Sequence, residues 1–225
     1  MKPQPEGAAA TIKHVNIVMS RIFHNTLRNE SIAGHPDFRR LASIANIQVE
    51  LRYAGSNNFV GRDLYSPLDC AWLHRDAAQA LEKSIAWLGA ERDDLKLLVL
   101  DALRPQRVQE QLWAALQGTD LLDYLANPVR GSIHSFGMAV DITLVGRHGQ
   151  ELDMGTPFDD LSERSHPALE EALLARGELT AQQIDNRRLL RAAMQQGGWV
   201  GINSEWWHFD CGDRNIVRAE YTRIL

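Results

Sequence analysis

Two short stretches carry residue types that could do chemistry together. Ser132-Ile133-His134-Ser135-Phe136-Gly137-Met138-Ala139-Val140-Asp141 holds an imidazole and a carboxylate seven positions apart, with Gly137 between them to let the backbone turn tightly. Far along the chain, Ser204-Glu205-Trp206-Trp207-His208 holds a carboxylate three positions before a second imidazole. Zinc takes nitrogen and oxygen ligands, and a catalytic zinc keeps one tetrahedral position open for water. His134, Asp141 and His208 make a three-ligand set of that kind, and Glu205 is the spare carboxylate that a zinc hydrolase needs.

The elements that must position them are partly legible. Ala139 to Leu144 alternates, so Val140, Ile142 and Leu144 share one strand face while Ala139, Asp141 and Thr143 share the other. Asp141 then projects away from the apolar layer, toward a cleft, and His134 lies in a loop that can fold back over that face. Glu205 and His208 would share a face on a helical turn but point apart on a regular strand. An irregular turn entering a strand is therefore expected there.

Ser-x-His-x-x-Gly-x-Ala-x-Asp followed by Glu-x-Trp-His resembles the zinc D-alanyl-D-alanine peptidase superfamily, peptidase family M15. Further stretches resemble its dipeptidase branch, the VanX-type D-Ala-D-Ala dipeptidases: Tyr53-Ala54 leading to Asn57-Asn58-Phe59-Val60-Gly61, Asp101-Ala102-Leu103-Arg104-Pro105, Met154-Gly155-Thr156-Pro157-Phe158-Asp159, and Asn186-Arg187-Arg188. They run in the family's order from about residue 47 to about residue 210.

The resemblance implies one Zn²⁺ per chain and a small D,D-dipeptide substrate hydrolysed to free D-alanine, with Glu205 as general base. It also implies that Arg104 faces the oxyanion of the tetrahedral intermediate; a structural ion pair with Asp101 is the plain alternative for that arginine. Asp159 is mapped to the substrate's free amine, where a turn aspartate is the commoner role in general. Tyr53 borders the active site in the family, and Ser132 either touches substrate or serves as an ordinary turn hydroxyl. Leu103 stands where the family usually has an aromatic residue, so the packing beneath Arg104 is expected to differ. The implied fold is α+β, a single domain with helices around a mainly antiparallel central sheet and a zinc cleft at its edge. Two other activities stay open: a carboxypeptidase or endopeptidase on cell-wall stem peptides, and a zinc-stabilised binding module such as the hedgehog signalling domain.

Composition bounds the rest. With 225 residues, 44% of them hydrophobic and 24% charged, the chain suits one globular domain. A net charge of −5 gives no basic field for nucleic acid, and no Lys/Arg run suggests anionic lipid. No apolar run is long enough to span a membrane, and the first residues lack a secretory h-region, which predicts a cytoplasmic protein. Cys70 and Cys211 are too few for a disulfide framework. Residues 1–46 read as an extension, partly helical over 12–27, ahead of a dipeptidase domain over 47–225. Within the latter, alternation predicts a strand over 47–53 and a continuous apolar run predicts a doubly covered strand at 97–100. Helices are predicted over 75–91, from Pro105 toward Gly118, and over 180–196, the last behind a Thr180/Gln183 capping box.

Overall fold

The computed structural model describes residues 26–225. In chain order these carry β1 (Thr26–Leu27), β2 (Phe38–Arg40), β3 (Ile47–Val49), β4 (Trp72–His74), α1 (Arg75–Glu91), β5 (Leu95–Asp101), α2 (Gln106–Ala115), β6 (Ala139–Gly146), α3 (Glu170–Ala175), α4 (Ala181–Gln196), β7 (Trp199–Gly201), β8 (His208–Cys211), α5 (Arg214–Glu220) and β9 (Arg223–Ile224). The architecture is a small α+β domain. Of the helix predicted over 12–27, all but Thr26 and Leu27 lies outside the described residues, and those two form β1 beside β9.

Local sequence explains most element ends. Helix α1 starts where the His74 imidazole accepts the Asp76 N–H at 3.2 Å. Helix α4 begins with the expected capping box: Thr180 Oγ1 accepts from Gln183 N at 3.3 Å, and Gln183 Oε1 accepts from Thr180 N at 2.8 Å. Strand β3 is shorter than the alternation over 47–53 predicts. It stops at Val49, and Arg52–Ala54 forms a 3₁₀ turn. The apolar period continues because Tyr53 joins a separate cluster with Leu64, Tyr65, Val108 and Leu112 beneath α2, with Leu51 packed against it. Burial, not sheet pairing, sets that pattern. Helix α5, which follows no strong apolar period, is started by Asp213, whose carboxylate accepts the N–H groups of Asn215 and Ile216.

The central sheet has five strands in the order β3-β5-β6-β8-β7 and is mixed. Strand β3 runs parallel to β5, while β5–β6, β6–β8 and β8–β7 are antiparallel. Strand β6 lies at its middle and is buried along its whole length. Its Val140, Ile142 and Leu144 join Leu97 and Val99 of β5, Leu81 and Leu88 of α1, and Leu190 and Met194 of α4 in the main core. That face is sealed by apolar side chains. The opposite face of the same strand carries Asp141, and the register sets Asp101 and His208 directly across from it on β5 and β8. Opposed residues on neighbouring strands lie about 5 Å apart, so three polar side chains form one row across the sheet.

Candidate active site

His134 reaches the end of that row from a 3₁₀ turn, Ile133–Phe136, closed by Gly137 in the left-handed region at φ 65°. A Cβ at Gly137 would lie 2.7 Å from the His74 backbone nitrogen, so both the turn and the close approach demand glycine. His134 Nδ1 donates to the Ala102 carbonyl at 2.8 Å, which leaves Nε2 with its lone pair facing the row. His208 Nε2 is 3.0 Å from Asp210 Oδ1, which leaves Nδ1 facing the same point. His134 Nε2, His208 Nδ1 and Asp141 Oδ1 are separated by 3.2, 3.3 and 3.0 Å. Ligands about 2.05 Å from a tetrahedral metal are about 3.3 Å from each other, so this triangle has the dimensions of one face of such a site. Among the described residues it is the group that could hold a metal ion.

The electrostatics agree. Burial disfavours a charged His208 ring, but Asp210 and Asp141 outweigh it and hold its pKa well above the usual imidazole value. Burial likewise opposes ionisation of Asp141, and the facing imidazoles reverse that, pushing its carboxyl far below the ordinary range.

All eight residues singled out from sequence line one cavity of about 250 Å³: Tyr53, Arg104, Ser132, His134, Asp141, Asp159, Glu205 and His208. Glu205 lies in the irregular turn before β8, as its spacing from His208 suggests. Its carboxylate has no hydrogen-bond or ion-pair partner among the described residues, and burial raises its pKa to about 7. Neighbouring side chains hold the turn in place. Trp206 Nε1 donates to Thr156 Oγ1 at 2.8 Å, and the Trp207 ring meets Phe158 edge-on at 5.5 Å.

Arg104 makes the ion pair with Asp101 and also lines the cavity. Its Nε donates to Asp101 Oδ2 at 2.8 Å, while Nη1 and Nη2 reach Gln109 Oε1 and Asp141 Oδ2, both at 3.2 Å. The guanidinium also stacks over the Tyr53 ring at 5.0 Å. Leu103 points elsewhere, into a cluster with Phe38, Trp72 and Ile224, so Tyr53 supplies the aromatic surface beneath Arg104. Asp159 sits in the left-handed region at φ 63°, a conformation aspartate tolerates better than most residues. Tyr53 Oη donates to its Oδ1 at 3.0 Å and the Phe59 N–H to its Oδ2 at 3.3 Å. Burial, then the charge of Asp141, raises its pKa to about 8 against the opposing pull of Arg104. The Asn186-Arg187 pair holds this loop from behind: Asn186 Nδ2 donates to the Asp153 carbonyl at 2.8 Å and Arg187 Nε to that of Met154 at 2.7 Å.

Two partners escaped the sequence reading. Asp210 fixes the His208 ring and is itself paired with Arg214. Its position two residues after His208 on β8 was the available signal, since strand residues i and i+2 share a face. Tyr65, which donates to Asp101 Oδ1, had no local signal because the contact spans 36 positions. Cys70 and Cys211 are free thiols, the first buried and the second partly exposed.

A family model described as D-ala-D-ala dipeptidase, Peptidase M15, matches residues 37–224. The D-alanyl-D-alanine dipeptidase of Escherichia coli K12 is 43% identical over 168 residues, covering 73% of this chain and 79% of its own. The enzyme of the same name from Enterococcus faecium is 30% identical over 187 residues, 74% of this chain and 86% of its own. That from Synechocystis is 32% identical over 130 residues, 55% of this chain and 49% of its own.

Proposed function

The chain belongs to the D-Ala-D-Ala dipeptidase family of M15 peptidases, and on that premise we propose that it hydrolyses the D-alanyl-D-alanine dipeptide to free D-alanine with one zinc ion. The observation that carries the reading is an unpartnered carboxylate, Glu205, sharing a small cavity with the 3.0–3.3 Å triangle of His134, Asp141 and His208. The donor set fits zinc, since two imidazole nitrogens and one carboxylate oxygen are its ordinary ligands and leave a position open. When bound there, zinc supplies a Lewis acid that acidifies water and polarises a peptide carbonyl.

The chain's own groups do the rest. Glu205, unpartnered and with its pKa raised to about 7 by burial, takes the proton of the attacking water and passes a proton to the departing amine. Arg104, held by Asp101 and by the Tyr53 ring, offers a fixed donor to the oxyanion. Asp159 binds the substrate's ammonium, its two oxygens already oriented by Tyr53 and Phe59. Ser132 lines the same wall beside His134. A cavity of about 250 Å³ falls below the usual 300–1,000 Å³ of drug-sized sites, which favours a dipeptide over a cell-wall stem peptide. We assign the activity to residues 47–225.

The test is hydrolysis of D-Ala-D-Ala beside L-Ala-L-Ala and N-acetyl-D-Ala-D-Ala, with metal removed and restored. Zinc-dependent cleavage of the free D,D-dipeptide alone is expected. Faster cleavage of a stem pentapeptide, or zinc binding with no cleavage of any peptide, would overturn the reading.

A further inference from the structure

One buried cation has no part in the proposed chemistry. Arg187, on α4, is fully buried and does not line the cavity. The carboxylate that answers its charge, Glu170, stands 3.6 Å from Nη1 and is already held by both Nη atoms of Arg191. Nη1 itself makes no hydrogen bond among the described residues. Withdrawing a guanidinium from water for one distant partner is costly, so its other contacts bear the explanation.

Arg187 Nε donates to the Met154 carbonyl at 2.7 Å and Nη2 to the Arg164 carbonyl at 2.9 Å. These two carbonyls are the feet of a loop over 154–164 that carries Asp159 midway. A planar fork with fixed donor directions sets the separation of the feet, and the Thr156 and Ser165 hydroxyls pair between them at 2.9 Å. The face of the same guanidinium lies over the buried Trp206 ring, 5.9 Å from its centre. Trp206 follows Glu205 in the chain, and its Nε1 donates back to Thr156 Oγ1 at 2.8 Å. The loop that carries Asp159 and the turn that carries Glu205 are therefore both held against one side chain of a 16-residue helix.

We propose that Arg187 is a positioning residue which, with the Thr156 hydroxyl, fixes the distance between Asp159 and Glu205 and so selects peptides whose first residue is an α-amino acid. The proposal rests on the peptidase reading above, with its roles for Asp159 and Glu205, and deepens it by narrowing the substrate class. A β-amino first residue carries its ammonium one carbon farther from the scissile carbonyl. With that carbonyl placed beside Glu205, the nitrogen then misses the Asp159 carboxylate, and a misplacement of about 1 Å costs about 10²-fold in rate.

The experiment compares D-Ala-D-Ala with its constitutional isomer β-alanyl-D-alanine, which has the same atoms, charges and leaving group, in the zinc-loaded full chain. The wild-type protein is expected to favour the α-amino isomer by about 100-fold in kcat/KM. Arg187→Lys keeps the charge but cannot span both feet of the loop, and Thr156→Val removes the hydroxyl at nearly constant volume. Each should narrow the preference to about tenfold or less, mainly through a higher KM for D-Ala-D-Ala, with zinc content unchanged. A mere loss of folded protein lowers kcat/KM for both isomers by the same factor and leaves their ratio intact, so the ratio separates positioning from stability. If Arg187→Lys does not fold, Thr156→Val decides alone. Equal kcat/KM for the two isomers in the wild type, or an undiminished preference in the folded variants, would overturn the proposal while leaving the peptidase reading intact. Cleavage of neither isomer would overturn both.

Discussion

Replacing Glu205 with Gln separates what this carboxylate does for turnover from what it costs the fold. Gln keeps the shape and removes the base, so kcat is expected to fall by about 10²- to 10⁴-fold while zinc stays bound. The stability effect has the opposite sign. Burial raises the Glu205 pKa from an ordinary 4.5 to about 7. A carboxyl whose folded pKa exceeds its unfolded value supports the fold only while protonated, so this contribution is full below about pH 4.5 and is lost as the pH rises to about 7. A gap of about 2.5 pH units at 1.36 kcal/mol each amounts to about 3 kcal/mol. Metal-free Glu205→Gln should therefore show a flatter pH dependence than the metal-free parent, and should be the more stable of the two at pH 7. Urea unfolding at half-unit steps from pH 4.5 to 7.5 reads the stability, D-alanine release reads turnover, and metal analysis reads zinc. A kcat within tenfold of the parent would refute the general-base role. Parallel stability curves would refute the burial cost.

Further expectations follow from the same geometry. The KM for a free dipeptide should rise as the pH falls below about 8, because a protonated Asp159 cannot pair with ammonium; the rise should begin at lower pH once zinc offsets the charge of Asp141. Asp159→Asn should raise and flatten that profile, and an unchanged KM would sink the amine assignment. Arg104→Lys keeps one charge but loses the fork that spans Asp101, Gln109 and Asp141, so kcat should drop by about 10²- to 10³-fold with zinc retained; a loss under threefold would return Arg104 to a purely structural role. Asp210→Ala frees the His208 ring and should weaken zinc affinity by about 10- to 100-fold in equilibrium dialysis against a competing chelator. Unaltered affinity would mean that β8 alone orients the ring.

The sequence exposed what is local. The alternation around Asp141, the Thr180 capping box and the turn before His208 depend on neighbours within a few positions, and each appears in the fold where the pattern put it. The strand over 47–53 is present only as Ile47–Val49, because Tyr53 keeps a period-two pattern while packing beneath α2 rather than in the sheet. Register across strands was not readable, since nothing near Asp141 states that Asp101 and His208 lie opposite it. At Asp101 the local pair with Arg104 was readable, whereas the Tyr65 hydroxyl, 36 positions away, was not.

That register also explains why these buried charges belong together. Asp101, Asp141, Asp159, Glu205 and Asp210 gather around one end of the sheet, and the guanidiniums paired with members of this group are those of Arg104 and Arg214. Carboxylates withdrawn from water without compensation raise their pKa or destabilise the fold. The raised pKa is seen where compensation is weakest, in Asp159 at about 8 and Glu205 at about 7, and is absent where a cation is in contact, in Asp210 at about 2. Counted against the two guanidiniums in contact with them, the five carboxylates when ionised leave three negative charges, before Arg130, Arg218 and the His208 ring, which also line the cavity, are included. The carboxylates left without a cation in contact, Asp159 and Glu205, are those proposed to meet the substrate's ammonium and to move the proton of the attacking water.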